Sequence, residues 1–310
     1  MGEVLFKTMA EGLRFPEGPV VMKDGSVILV EVARRAVTRC HPDGRTEVVA
    51  QLDGGPNGAA VGPDGALYIC NNGGFNWHET DETGLRPHGQ ATDYSGGRIE
   101  RLDLKTGELK VLYTASDKAP LKGPNDLVFD AHGGFYFTDH GKIRPRDMDR
   151  GTVCYAKADG SFIREVVYPI MSPNGVGLSP DGATLYVAET FTCRLWAFTI
   201  ASPGQLELLP WPQSPNGGRF VAGLGGYQGF DSLAVDAAGN ICVATIYSGA
   251  ITVVSPDGSK IEAIKTPDPF ATNICFGGSD MRTAYVTMSS TGKLMTADWP
   301  TAGLRLEHEA

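Results

Sequence analysis

Six times along the chain, an acidic or amide residue opens an apolar alternation that turns and runs back as a second apolar segment. The copies read FPEGPVVMKDGSVILVE, GPNGAAVGPDGALYICN, GPNDLVFDAHGGFYFTD, SPNGVGLSPDGATLYVAE, GFDSLAVDAAGNICVAT and ATNICFGGSDMRTAYVT. Their leading oxygen-bearing residues, the anchors, are Glu17, Asn57, Asn125, Asn174, Asp231 and Asn273, spaced 40, 68, 49, 57 and 42 residues apart. A second polar position follows 14 residues later at Glu31, Asn71, Asp139, Thr245 and Thr287, and 15 later at Glu189, where the turn holds one extra residue. Asp64-Gly65 and Asp181-Gly182 supply turn residues that tolerate positive φ. A unit of about 40–50 residues built of such hairpins is the signature of a propeller blade. No stretch carries a helical periodicity. The expected fold is all-β, one six-bladed β-propeller forming a single domain over residues 1–310. Radial repetition leaves only short, protected strand edges, provided the ring closes. Val4–Met9 alternates in strand fashion before the first copy and is expected to add a strand to the last blade, fastening the ring.

Composition permits such a core: 42% of the 310 residues are hydrophobic and 20% charged, which excludes disorder. The net charge of −9 and the absence of any Lys/Arg cluster exclude a nucleic-acid footprint. No apolar run approaches the roughly 18 residues of a membrane span, and MGEVLFKTMAEG does not read as a signal peptide. The six cysteines, at 40, 70, 154, 193, 242 and 275, form no Cys-x-x-Cys pair. They are expected to be buried and reduced, as in a cytoplasmic protein. Two anchor spacings exceed the rest because of insertions at 73–97 and 201–228. Insertions of this length are lids or mobile surface loops, and 73–97 reads as the lid.

Rotational repetition brings one register position of every blade to a ring around the axis. The six anchors are therefore expected to converge there, as two carboxylates and four amides with no His or Cys. Such hard oxygen donors suit Ca²⁺ or Mg²⁺ rather than Zn²⁺. The two negative charges of Glu17 and Asp231 match one divalent cation, so a central metal site is expected. Without a cation, two carboxylates facing one channel repel, and one tends to hold a proton.

The segments FPEGPV, NDLVFDAHGGFYFTD, SPNGVGLSPDGATLYVAET and GFDSLAVDAAGNICVA resemble the SMP-30/gluconolactonase/LRE-like family of six-bladed propellers. The resemblance runs over nearly the whole chain. It implies one divalent cation, commonly Ca²⁺ or else an ion such as Mg²⁺, Mn²⁺ or Zn²⁺, held by Glu17, Asn125, Asn174 and Asp231, with Ser232 added in some relatives. It implies Asp231 as base or nucleophile, with Asn125 and Asp126 in the same catalytic group. Asn57, Asn71, Trp77, Asp139, His140 and Asn273 are expected on the substrate-binding wall, with His78 and His88 as further candidates to accept a proton.

One departure bears on substrate. Sugar-acid members carry an arginine two residues before the third-copy asparagine, where this chain has Gly123. The hydroxyl clamp is therefore missing, and Phe75, Trp77 and Tyr94 in the insertion point to a partly apolar lactone. The activity implied is metal-dependent hydrolysis of a lactone, a small-molecule cyclic ester. Phosphotriester hydrolysis on the same metal and a non-catalytic interaction platform are the alternatives, and a homo-oligomer is compatible with either. The chain has no Gly-x-Ser-x-Gly elbow, phosphate-binding loop or His-Glu-x-x-His motif.

Overall fold

Six antiparallel sheets stand around one axis in the computed structural model, which describes residues 4–308. Their innermost strands are Pro16–Val21, Pro56–Val61, Pro124–Phe129, Pro173–Leu178, Gly229–Val235 and Ala271–Gly277, each opening on or just before an anchor. Five sheets have four strands. The fourth has five, because Gln205–Glu207 and Arg219–Gly223 both pair with Arg194–Ser202. The 201–228 insertion thus completes the outer edge of one blade. No helix among the described residues is long and apolar enough to cross a membrane.

Ring closure follows the sequence expectation, with the strand starting slightly later. Lys7–Ala10 pairs with Lys293–Asp298 in the sixth blade, Thr8 opposite Met295. The second strands read as unbroken apolar runs because both their faces are buried between blades. In Val27–Glu31, Val27 and Leu29 pack against Tyr285 and Leu294 of the sixth blade, while Ile28 and Val30 pack against Val61, Leu67 and Ile69 of the second. Each such side chain contributes roughly 1.5–3 kcal/mol on burial. Each of the six blade-to-blade seams holds its own apolar cluster. These seams, more than strand pairing within a blade, hold the ring together. All six cysteines are free thiols, five of them buried in this packing.

Every innermost strand is broken by a shift of register at or beside its anchor, as between Glu17 and Val20 or Pro124 and Leu127. Such a bulge re-aims a side chain. Here it lets neighbouring innermost strands crowd together. A Cβ on Gly18 would lie 2.8 Å from Asn57 O, and one on Gly58 would lie 2.4 Å from Asn125 O. Glycine after the anchor is thus a packing requirement in these two blades.

Candidate active site

The anchors meet as the repeat demands. Nδ2 of Asn273 donates to Oε2 of Glu17 at 3.1 Å, joining the first and last blades, and Gly18 N donates to the same oxygen at 3.2 Å. Ser232 Oγ donates to Asn174 Oδ1 at 3.4 Å, and Asn174 Nδ2 donates to Thr190 Oγ1 at 3.1 Å. Five anchors are buried, whereas Asp231 keeps partial solvent access. Burial raises the pKa of both Glu17 and Asp231, and the charge of Glu17 raises that of Asp231 further. Asp126, buried beside them, is pushed up to about 7 by burial and by Glu17. Glu17, Asp126 and Asp231 therefore bring three carboxyl groups to one channel.

This channel fits a divalent cation in one further respect. Asn125 Oδ1 is buried and has no hydrogen-bond donor. A buried acceptor without a partner is rare and calls for an explanation. Among the described residues no three His, Cys, Asp or Glu side chains gather around one point, so a cation here would need amide oxygens beside carboxylates. Such a mixed set of hard donors is suited to Ca²⁺.

The second polar position corrects a sequence expectation. Asn71 and Asp139 were expected on the substrate wall, yet their side chains fasten the loops that lead into the anchors. Asp139 accepts from the backbone N–H groups of Lys122, Gly123 and Gly141 at 2.7, 2.7 and 3.0 Å. Asn71 Oδ1 accepts from Gly55 N and Gly73 N, while its Nδ2 donates to Asp53 O and Glu100 Oε2. Strand side chains alternate between faces, so a shift of one residue exchanges the roles. The residues that stand next to the anchors are the following ones, Asn72, His140 and Thr190, whose N–H groups pair with Gly55 O, Gly123 O and Ser172 O. His140, expected on the substrate wall, is one of these residues. It lies edge-on to Phe191 with ring centroids 5.6 Å apart, and burial lowers its pKa to about 4, so its ring is neutral near pH 7. Asn57 and Asn273 are buried in the ring.

Residues 75–90 form a separate hairpin, Phe75–Thr80 paired with Gly84–Gln90, that lies over the anchor end of the channel. It reaches blade three through Gln90 N to Ile143 O at 2.9 Å and blade six through Leu85 N to Ser290 O at 3.2 Å. It reaches blade one through the two-pronged pair Arg14–Glu79 at 2.6 and 2.8 Å. Trp77 does not stand free for a substrate. Its ring packs on Phe15 at 5.1 Å and joins Phe75 in a cluster with Val32, Leu85, Ile246 and Phe270. His78 and His88 are exposed on the hairpin and away from the channel ring. Tyr94 OH donates to Lys122 O at 2.7 Å.

Sequence reading missed Lys142. Its Nζ, almost fully buried, donates to Asn72 Oδ1 at 3.1 Å and Gly74 O at 2.9 Å and lies 4.0 Å from the Phe75 ring centre. Burial lowers its pKa to about 7. The linear pattern did not mark this lysine, which lies outside the six repeats. At Gly123 a Cβ would come within 2.6 Å of Gly141 O, so the backbone fills the place of the missing arginine.

A cavity of about 920 Å³ occupies the opposite end of the channel. Val20, Ala59, Leu127, Val176 and Leu233 wall it, and Asp126 and Asn273 stand at its inner end. Asp231 is not among the residues that wall it, although it keeps partial solvent access.

The model of the SMP-30/gluconolactonase/LRE-like region matches residues 15–290 of this chain. The lactonase drp35 of Staphylococcus haemolyticus strain JCSC1435 is 30% identical over 267 residues, covering 86% of this chain and 73% of that protein. The 6-deoxy-6-sulfogluconolactonase of Pseudomonas putida is 26% identical over 253 residues, 68% of this chain and 83% of that one. Among solved structures, the calcium-binding protein regucalcin of Agrobacterium tumefaciens strain C58 superposes with a TM-score of 0.72 at 20% identity, over 98% of each chain. A six-bladed ring, anchors converging on its axis and a family match spanning nearly all the blades lead to one assignment: the chain belongs to the SMP-30/gluconolactonase/LRE-like family.

Proposed function

We infer that this protein is a hydrolase that opens the ring of a lactone, with a divalent cation, Ca²⁺ by preference, held by Glu17, Asn125, Asn174 and Asp231. The observation that carries this reading is the buried, donorless Asn125 Oδ1 in a channel crowded with carboxyl groups. Family relatives named lactonases, and a structural neighbour named a calcium-binding protein, support it. A bound divalent cation supplies positive charge that polarises an ester carbonyl and stabilises developing negative charge.

The chain's own residues do the rest. Asp231 is the anchor that keeps partial solvent access, which suits it to take a proton from water or to attack the ester itself. Asp126 stands beside it as a second buried carboxyl suited to proton transfer. Thr190 and Ser232 hold the Asn174 amide in one orientation. The hairpin over the channel suits a lid that excludes bulk water. Six free cysteines support a reducing compartment, the cytoplasm, for this activity.

The test is acid release from a panel of lactones by chelator-treated protein, before and after adding Ca²⁺, Mg²⁺, Mn²⁺ or Zn²⁺. Hydrolysis that depends on one of these ions and is lost in Glu17→Gln supports the reading. A protein that opens no lactone with any of them would sink it.

A further inference from the structure

Arg86 stands on the hairpin over the channel, partly buried, with its guanidinium 3.8 Å above the ring centre of Phe270. Stacking of this kind fixes the plane of the fork and leaves its edge open. The one hydrogen bond recorded for that guanidinium among the described residues is from Nη1 to its neighbour's carbonyl, Leu85 O, at 3.1 Å. A guanidinium carries five donors. The carboxylate in its field is Asp268, whose oxygens already accept from Phe270 N, Ser290 Oγ, Thr291 N and Thr291 Oγ1. Lys142, the other cation under the hairpin, is committed to Asn72 and Gly74. Arg86 is thus a partly desolvated charge whose counter-charge acts only through space, a costly state that an anionic ligand would relieve.

Its place in the site says which part of a substrate it would meet. Phe270 packs edge-on against Tyr247 at 5.1 Å, and Tyr247 lies within the electrostatic reach of Asp231. Arg86, Phe270 and Tyr247 therefore form one contiguous row, and the field of Asp231 reaches its Tyr247 end. A lactone with its ester at Asp231 would turn its far end toward Arg86. At Gly123, the position where sugar-acid relatives carry an arginine, the backbone leaves no space for a side chain.

We propose that Arg86 is a specificity-determining residue that pairs with an anionic group on the far end of the lactone, so that the preferred substrate class is a sugar lactone carrying a carboxylate or similar anion. This rests on the lactonase reading and narrows it. The planar fork matches a carboxylate through two parallel hydrogen bonds, which an ammonium does less well.

The experiment compares two lactones that differ at one carbon, D-glucono-1,4-lactone (neutral) and D-glucaro-1,4-lactone (carboxylate), with the full chain in excess Ca²⁺. Wild type should favour the carboxylate lactone in kcat/KM. Arg86→Gln should lower that value about 10- to 100-fold for the carboxylate lactone, chiefly through KM, while changing the neutral one less than about threefold. Arg86→Lys should recover part of the difference. Equal losses on both lactones would mean that Arg86 only holds the hairpin down, and would overturn the proposal, as would a wild-type preference for the neutral lactone. Calorimetric binding of the open-chain glucarate and gluconate ions reads the same preference without turnover. Protein that opens neither lactone but binds glucarate more tightly, in an Arg86-dependent way, retains the anion site and loses the lactonase reading. Equal binding by wild type and Arg86→Gln rejects the anion site itself.

Discussion

Asn125 Oδ1 and the carboxyl groups of Glu17, Asp126 and Asp231 in the same channel pose one electrostatic problem with two solutions, protons or a cation. Carboxyls whose folded pKa lies above the unfolded value stabilise the fold fully below the unfolded pKa, and that contribution is lost as pH rises through the folded pKa. For Asp126, raised from 3.8 to about 7, the window runs from about pH 4 to 7, and Glu17 and Asp231 move in the same direction. Metal-free protein should therefore lose thermal stability from pH 5 to 8. Saturating Ca²⁺ should remove most of the loss, because the ion replaces the protons and binds only the folded state. Melting curves at four pH values, with and without Ca²⁺, check this. A Ca²⁺ affinity that fails to rise by about tenfold per pH unit near pH 6 would mean that no proton leaves on binding. The same residue scale shows where sequence reading reached its limit. The six anchors were legible because a repeat aligns them, and the choice of Glu17, Asn125, Asn174 and Asp231 among them rests on the family resemblance, whereas Lys142 and Arg86 belong to no repeat and become significant only through what surrounds them.

Among the elements, the loop before the innermost strand of blades one to four is held by one side chain of the strand beside it, Glu31, Asn71, Asp139 or Glu189. Asp139 shows the cost of losing it. Three backbone N–H groups would be left without their acceptor, two of them at 2.7 Å from it now. Asp139→Ala should destabilise the protein by about 3 kcal/mol or more. Urea unfolding measures this, and a change confined to KM with unaltered stability would return Asp139 to the substrate wall. Sequence reading gave these positions a shared register and the wrong face, since period-2 alternation reports which residues are equivalent and leaves open which way the strand end points. The hairpin posed a similar difficulty. Its aromatics announced an apolar surface to be covered, and packing against Phe15, Val32 and Phe270 covers Trp77 with protein.

For the whole molecule, closure is the decisive feature, because each apolar seam needs a blade on both sides. The strand Lys7–Ala10 supplies the outer edge of blade six, with Ala10 and Met9 packed in the seam between blades six and one. Deleting residues 1–10 should also strip Val4 and Phe6 from the seam between blades five and six, leave the other four seams intact, and lower the melting temperature by roughly 5–10 °C, as expected for a loss of a few kcal/mol in a chain of this size. An unchanged melting temperature would mean that the ring does not depend on this strand. Repetition made the architecture readable: the sequence by itself determined the number of blades, the hairpin within each, the fastening strand and the anchors, since local alternation and turn chemistry act within a dozen residues. What only the tertiary structure decided arises between segments far apart in the chain. Asn273 meets Glu17 across 256 residues, and Gly123 is walled off by Gly141. The hairpin sets Arg86 over Phe270. Burial and electrostatic fields depend on all the neighbours at once, and a linear pattern carries no record of neighbours that only the closed ring assembles.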